Sequence, residues 1–162
     1  MKIRILCVGK IKESYFADGI AEYVKRLSRY CKLDVVEVAD EKTPDGASEA
    51  QENLIKAKEG ERLLKYMKET GPESYTNALA IEGKQVDSDA FSEKLQQLSV
   101  NGTGQINFII GGSLGLSKDV LQRADEKLSF SKMTFPHQMM RMILLEQIYR
   151  GYRIMKGEPY HK

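Results

Sequence analysis

Side chains that commonly carry covalent or acid–base chemistry are scarce in this sequence. It holds two histidines, His137 and His161, and two cysteines, Cys7 and Cys31. Neither cysteine has a second Cys or His at metal-ligand spacing. Both therefore read as small buried hydrophobes in a reducing compartment rather than as a disulfide or a zinc site, and no metal is expected. His137 follows Phe135-Pro136 at a helix start and reads as a first-turn histidine satisfied by local polar groups. His161 is the penultimate residue, where a tail side chain is the default reading. No carboxylate pair or Cys–His dyad stands out. What remains is a glycine-rich run, Gly111-Gly112-Ser113-Leu114-Gly115. Such a run either lets a ligand approach the backbone or makes a tight strand–helix turn.

The common nucleotide signatures fail. Val8-Gly9-Lys10-Ile11-Lys12 is not G-x-G-x-x-G, and Gly83-Lys84 is followed by Gln85 rather than by Ser or Thr. A dinucleotide enzyme and a P-loop phosphotransferase are thereby disfavoured.

The elements that would position these residues alternate in type. Ile3 to Val8, Leu33 to Val38, Asn77 to Ile81 and Gln105 to Ile110 read as strands, with a fifth at Leu128 to Phe130. Helical spacing runs from Glu13 to Tyr30, Ser48 to Glu69, Asp87 to Leu98, Lys118 to Ala124 and Pro136 to Met155. Strands separated by helices imply an α/β fold with a mainly parallel sheet flanked by helices, in one domain spanning 1–162. Ligands of open parallel sheets bind beyond the carboxyl ends of the strands. That rule selects Glu82-Gly83-Lys84, Gly111 to Gly115 and Phe130 to Phe135 before any motif is consulted. Backbone N–H and C=O groups would do most of the reading there, as suits a purine edge.

Composition adds a partner class. Net charge is +2. Residues 130–162 nevertheless carry six basic side chains against Glu146 and Glu158, net +4. A basic C-terminal fifth is either a polyanion footprint or a solvated helix face. The N-terminal apolar stretch is short and interrupted by Arg4, so it reads as a first strand and the protein as cytoplasmic, without membrane attachment. The last helix carries Met139, Met140, Met142, Ile143, Leu144, Leu145, Ile148, Tyr149, Tyr152, Ile154 and Met155, which cover more than one face. One sheet buries one stripe, so a two-fold homodimer is the economical partner for the rest.

Three segments resemble the RlmH family of small SPOUT-class methyltransferases. They are Asn107 to Gly115, Leu128 to Arg141 and the ending Tyr149 to Lys162, joined by the opening Val8-Gly9-Lys10. The resemblance implies transfer of a methyl group from S-adenosylmethionine to N3 of a pseudouridine in 23S ribosomal RNA. It also implies a C-terminal trefoil knot and a homodimer with the cofactor near its interface. By motif position, cofactor contacts fall on Leu79, on Gly111 and on Phe130, Ser131, Lys132, Met133, Thr134 and Phe135. His161 is the expected proton-transfer group if the tail reaches the partner's site, and Arg141 the group that holds a phosphate or polarises a pyrimidine carbonyl. Arg150, Arg153, Lys156 and Lys162 are expected on RNA phosphates, with Tyr152 or Tyr160 stacking on a base. The modest net charge favours an assembled ribosomal particle as substrate over naked RNA. Two rivals stay open: a non-enzymatic ribosome-binding factor, and a metabolic enzyme that uses a nucleotide.

Overall fold

A computed structural model describes residues 1–162. Five strands form one parallel sheet in the order β2-β1-β4-β3-β5: β1 Lys2–Val8, β2 Lys32–Val38, β3 Ser74–Gln85, β4 Gln105–Ile110 and β5 Glu126–Ser129. The helices are α1 Ser14–Leu27, α2 Glu49–Lys68, α3 Ser88–Val100, α4 Lys118–Arg123 and α5 His137–Met155. Side chains alternate across a pleated strand, so each central strand feeds two cores. Ile3, Ile5 and Cys7 of β1 join Phe108 of β4 and the inner faces of α1, α3 and α5. Leu6 and Val8 join Ile109 and the residues Leu63 and Met67 of α2 and Val120 of α4. Burial on both faces explains the near-continuous apolar runs of β1 and β4. Polar residues within strands are paired across the ladder: Arg4 bonds Asp34 at 2.9 Å, and the Asn107 amide donates to the Thr76 hydroxyl at 3.2 Å.

Local chemistry sets the ends of the helices. Ser48 accepts from the Gln51 N–H, while the Gln51 side chain accepts from the Ser48 N–H, closing a capping box on α2. Asp87 and Ser117 accept from the backbone three residues on and start α3 and α4.

Two findings differ from the sequence reading. Glu82-Gly83-Lys84 lies inside β3 rather than in a loop after it. Both Leu79 and Lys84 register with Leu128 of β5, so residues 80–83 bulge out of the ladder between them. A side chain at Gly83 would stand 2.7 Å from the carbonyl carbon of Lys127. Glycine there is dictated by backbone contact. Secondly, α5 lies between α1 and α3, and its Leu144, Leu145 and Ile148 are fully buried within this chain. Flanking helices thus cover much of the apolar surface that suggested an external partner. No helix is long and apolar enough to cross a membrane.

Candidate active site

The loops at the carboxyl ends of β3, β4 and β5 enclose a cleft of about 740 Å3. That volume lies in the roughly 300–1,000 Å3 range of small-molecule sites. Its walls come from Leu79 and the β3 bulge beside it (Ala80 to Glu82), the turn after β4 (Gly111 to Leu116) and the loop after β5 (Phe130, Ser131, Met133, Thr134, Phe135). Pro136, His137 and Met140 close the side where α5 begins. The cleft therefore gathers seven of the eight residues expected on a cofactor. Lys132 is the exception: it is exposed and does not line the wall, although both its neighbours do.

Local hydrogen bonds and close contacts hold the walls after β4 and β5. After β4, the Gly115 N–H donates to the Gly112 carbonyl at 3.1 Å, and Gly115 takes φ +89°, a left-handed conformation that favours glycine. A Cβ on Gly111 would meet the carbonyl carbon of Gly115 at 2.7 Å. The turn itself thus demands glycine at position 111, without any ligand. Behind the turn, a Cβ on Gly112 would stand 3.1 Å from the carboxylate of Glu59, a buried residue of α2. Burial pushes the Glu59 carboxyl above the usual range, although its Oε2 accepts from the Glu41 N–H at 3.0 Å. After β5, the Ser129 hydroxyl donates to the Ser131 carbonyl and the Ser131 hydroxyl accepts from the Met133 N–H, both at 3.0 Å.

The lining is mainly apolar, with Lys56, Glu82 and His137 as its only ionisable side chains. No cluster of three or more His, Cys, Asp or Glu residues stands in metal-binding array. A flat aromatic base with a polar, mixed-charge tail suits this donor set. Leu79, Leu114, Phe130 and Phe135 offer apolar cover, the loops offer backbone groups, and Glu82 and Lys56 offer opposite charges.

Arg141 departs from its expected role. Its side chain is 4% exposed. One terminal nitrogen donates to Glu37 at 2.6 Å and the other to the Gly9 carbonyl at 3.1 Å, while Nε is buried without a partner. A guanidinium so enclosed cannot hold a substrate phosphate. It ties α5 to β2 and to the loop after β1. Arg150 and Arg153 are likewise engaged, with Glu146 and Glu158 at 2.5 Å each. Tyr152 stacks on Tyr30 and Tyr160 packs edge-on against Tyr149, so neither ring is free to stack on a base. Lys156 and Lys162 are exposed. His161 lies outside the cleft of its own chain, with Nδ1 3.1 Å from the Arg150 guanidinium and Nε2 3.8 Å from Asp89.

His137 is the residue that sequence reasoning passed over. It lines the cleft, and its imidazole makes no hydrogen bond within the chain, rather than being satisfied locally. Burial lowers its pKa, and the positive charge of Arg141 adds to the effect. Its place just after the wall segment Phe130 to Pro136 was the signal available in the sequence.

Comparison with known proteins agrees with this geometry. Residues 1–161 match the family described as "Predicted SPOUT methyltransferase". Ribosomal RNA large subunit methyltransferase H of Bifidobacterium adolescentis is 60% identical over 162 residues, covering all of both chains. The protein of the same name from Clostridium kluyveri is 56% identical, again over the full length of both. Among solved structures, a tRNA methyltransferase of Aquifex aeolicus superposes with a TM-score of 0.55 at 12% identity, over 93% of this chain and 70% of that one. A methyltransferase of Legionella pneumophila, in complex with the bound cofactor SAM, gives 0.52 at 8% identity over 94% and 66%. With full-length identity this high and a parallel sheet whose strand-end loops build one cleft, the chain belongs to the SPOUT methyltransferase family and, within it, to the ribosomal RNA large subunit methyltransferases H.

Proposed function

We propose that the protein methylates N3 of a pseudouridine in 23S ribosomal RNA, with S-adenosylmethionine as methyl donor and the assembled ribosomal particle as substrate. The observation that carries this reading is the convergence of Leu79, Gly111 and five residues between Phe130 and Phe135 on one cleft. Family membership supplies the reaction class. When bound, the cofactor supplies a methyl group activated by a sulfonium. The protein's contribution is placement: Leu79, Phe130 and Phe135 exclude water, while the loop backbones orient the adenine. Positioning in a near-attack geometry can supply up to roughly 7–11 kcal/mol of barrier. A neutral lining also suits a cationic donor better than a basic one would.

Homodimerisation belongs to the same reading. In a dimer, His161, on a tail that ends outside its own cleft, can reach the cleft of the partner. Lys156 and Lys162 are the cations left free for RNA phosphates, since Arg150 and Arg153 are held within the chain. A ribosomal substrate places the activity in the cytoplasm. The test is label transfer from methyl-tritiated S-adenosylmethionine to purified ribosomes and, in parallel, to the isolated RNA stem-loop, followed by mapping of the labelled nucleotide. Label on a 23S pseudouridine from ribosomes, with little on the hairpin, is the expected result. Efficient methylation of the hairpin, or no label on 23S RNA, contradicts it.

A further inference from the structure

The cleft contains a candidate for proton transfer that needs no partner chain. His137 is half-buried in the cleft wall at the start of α5. Its imidazole has no hydrogen-bond partner within the chain, and its Nε2 lies on the side of Gly9 and Asp40, which leaves Nδ1 as the nitrogen to meet a ligand in the cleft. The alternatives in the wall are weaker. Lys56 is a cation and cannot accept a proton. Glu82 is a solvent-exposed carboxylate on the β3 bulge rather than a group held in the wall. Resting on the reading above, we propose that His137 is the general base that removes the N3 proton of the pseudouridine as the methyl group is transferred.

The step balances without a further reactant. The N3–H bond breaks and its proton passes to the imidazole. N3 keeps that electron pair and bonds the methyl carbon, and the pair of the broken carbon–sulfur bond stays on sulfur as a neutral thioether. The imidazolium then returns its proton to water. The imidazole must start neutral, and its surroundings favour that form. Burial and the positive charges of Arg141 on α5 and Lys12 after β1 disfavour protonation, while Asp40 after β2 opposes them. A neutral ring also avoids repelling a sulfonium. The surrounding frame is tied together by contacts: Arg141 donates to the Gly9 carbonyl, the Lys12 N–H donates to Gln138 at 2.9 Å, and a Cβ on Gly9 would stand 3.8 Å from the His137 ring.

The test compares His137→Gln and His137→Ala with the native protein in three measurements. The first is methyl transfer to ribosomes as a function of pH. The native rate levels off once the imidazole is neutral, whereas the Gln variant falls by roughly 10²–10⁴-fold near neutrality and keeps rising with pH as N3 ionises by itself. The second is rescue of the Ala variant by added imidazole, which a merely structural histidine would not show. The third is calorimetry with S-adenosylmethionine, expected to give unchanged affinity in both variants. A rate within threefold of native, the native pH profile at lower amplitude, or lost cofactor binding overturns the base assignment; the last makes His137 a cofactor contact. A native protein that binds no S-adenosylmethionine and labels no ribosome refutes the functional reading instead, and this proposal falls with it.

Discussion

Arg141→Met separates a structural arginine from a substrate contact. The side chain is 4% exposed and is replaced by an apolar group of similar length. What is lost is the charged hydrogen bond to the Gly9 carbonyl, worth about 1.5–3 kcal/mol. The contact to Glu37 adds little, because that carboxylate is 38% exposed and turns to water when released. Against this, the buried and unpartnered Nε disappears, which relieves part of its desolvation cost. The net loss is about 2 kcal/mol. For a chain of 162 residues that corresponds to a fall in Tm of roughly 4–8 °C. Urea unfolding followed by circular dichroism reads the free energy, and a thermal scan reads Tm. The His137 titration, followed by NMR, should move upward in the same variant, since a depressing charge has gone. A variant as stable as native but unable to methylate ribosomes would refute the reasoning and restore Arg141 to the substrate.

Other outcomes follow from the same contacts. Gly111→Ala drives a Cβ against Gly115 backbone at 2.7 Å and should cost about 1–3 kcal/mol and most of the cofactor affinity; Gly112→Ala, at 3.1 Å from the Glu59 carboxylate, should cost less, and urea titration with calorimetry ranks the two. Stability should fall with acidification from about pH 6.5, because His137 binds its proton more readily unfolded than folded. His137→Gln should flatten that stretch of the stability–pH curve, as read by urea midpoints across the range. Burial raises the thiols of Cys7 and Cys31 to about 12 and about 11, so neither should react quickly with a disulfide reagent at pH 8 until the protein unfolds. Lys156→Ala with Lys162→Ala should weaken ribosome binding and lower its salt dependence, whereas Arg150→Ala should act chiefly on stability, as filter binding across salt concentrations would show.

The sheet is legible because its central strands are locally self-consistent: Ile3 to Val8 and Gln105 to Ile110 are mostly apolar, with Arg4, Gln105 and Asn107 as the exceptions, and both are largely buried. The strand-end rule then located the cleft without any motif. The β3 bulge escaped because Glu82-Gly83-Lys84 has loop composition, and the reason for Gly83 lies in the backbone of Lys127 and Leu128. The place of Arg141 is hidden for a related reason. Its partner Glu37 is 104 positions away, and sequence does not tell a buried guanidinium from a solvated one. Arg150 and Arg153 looked like free cations although Glu146 and Glu158 neutralise them nearby. The spacing of Arg150 to Glu146, one helical turn, was a visible warning. His137 reads as locally satisfied in the sequence, and only the folded wall reveals its imidazole as unpaired.

We propose that loop backbone beyond β3, β4 and β5 forms the cofactor cradle. Crystals grown with S-adenosylmethionine test it most directly. The adenine should lie between Leu79, Gly111 and the Phe130 to Phe135 loop, one molecule per chain. A cofactor bound elsewhere on the protein, with that cleft empty, would contradict it.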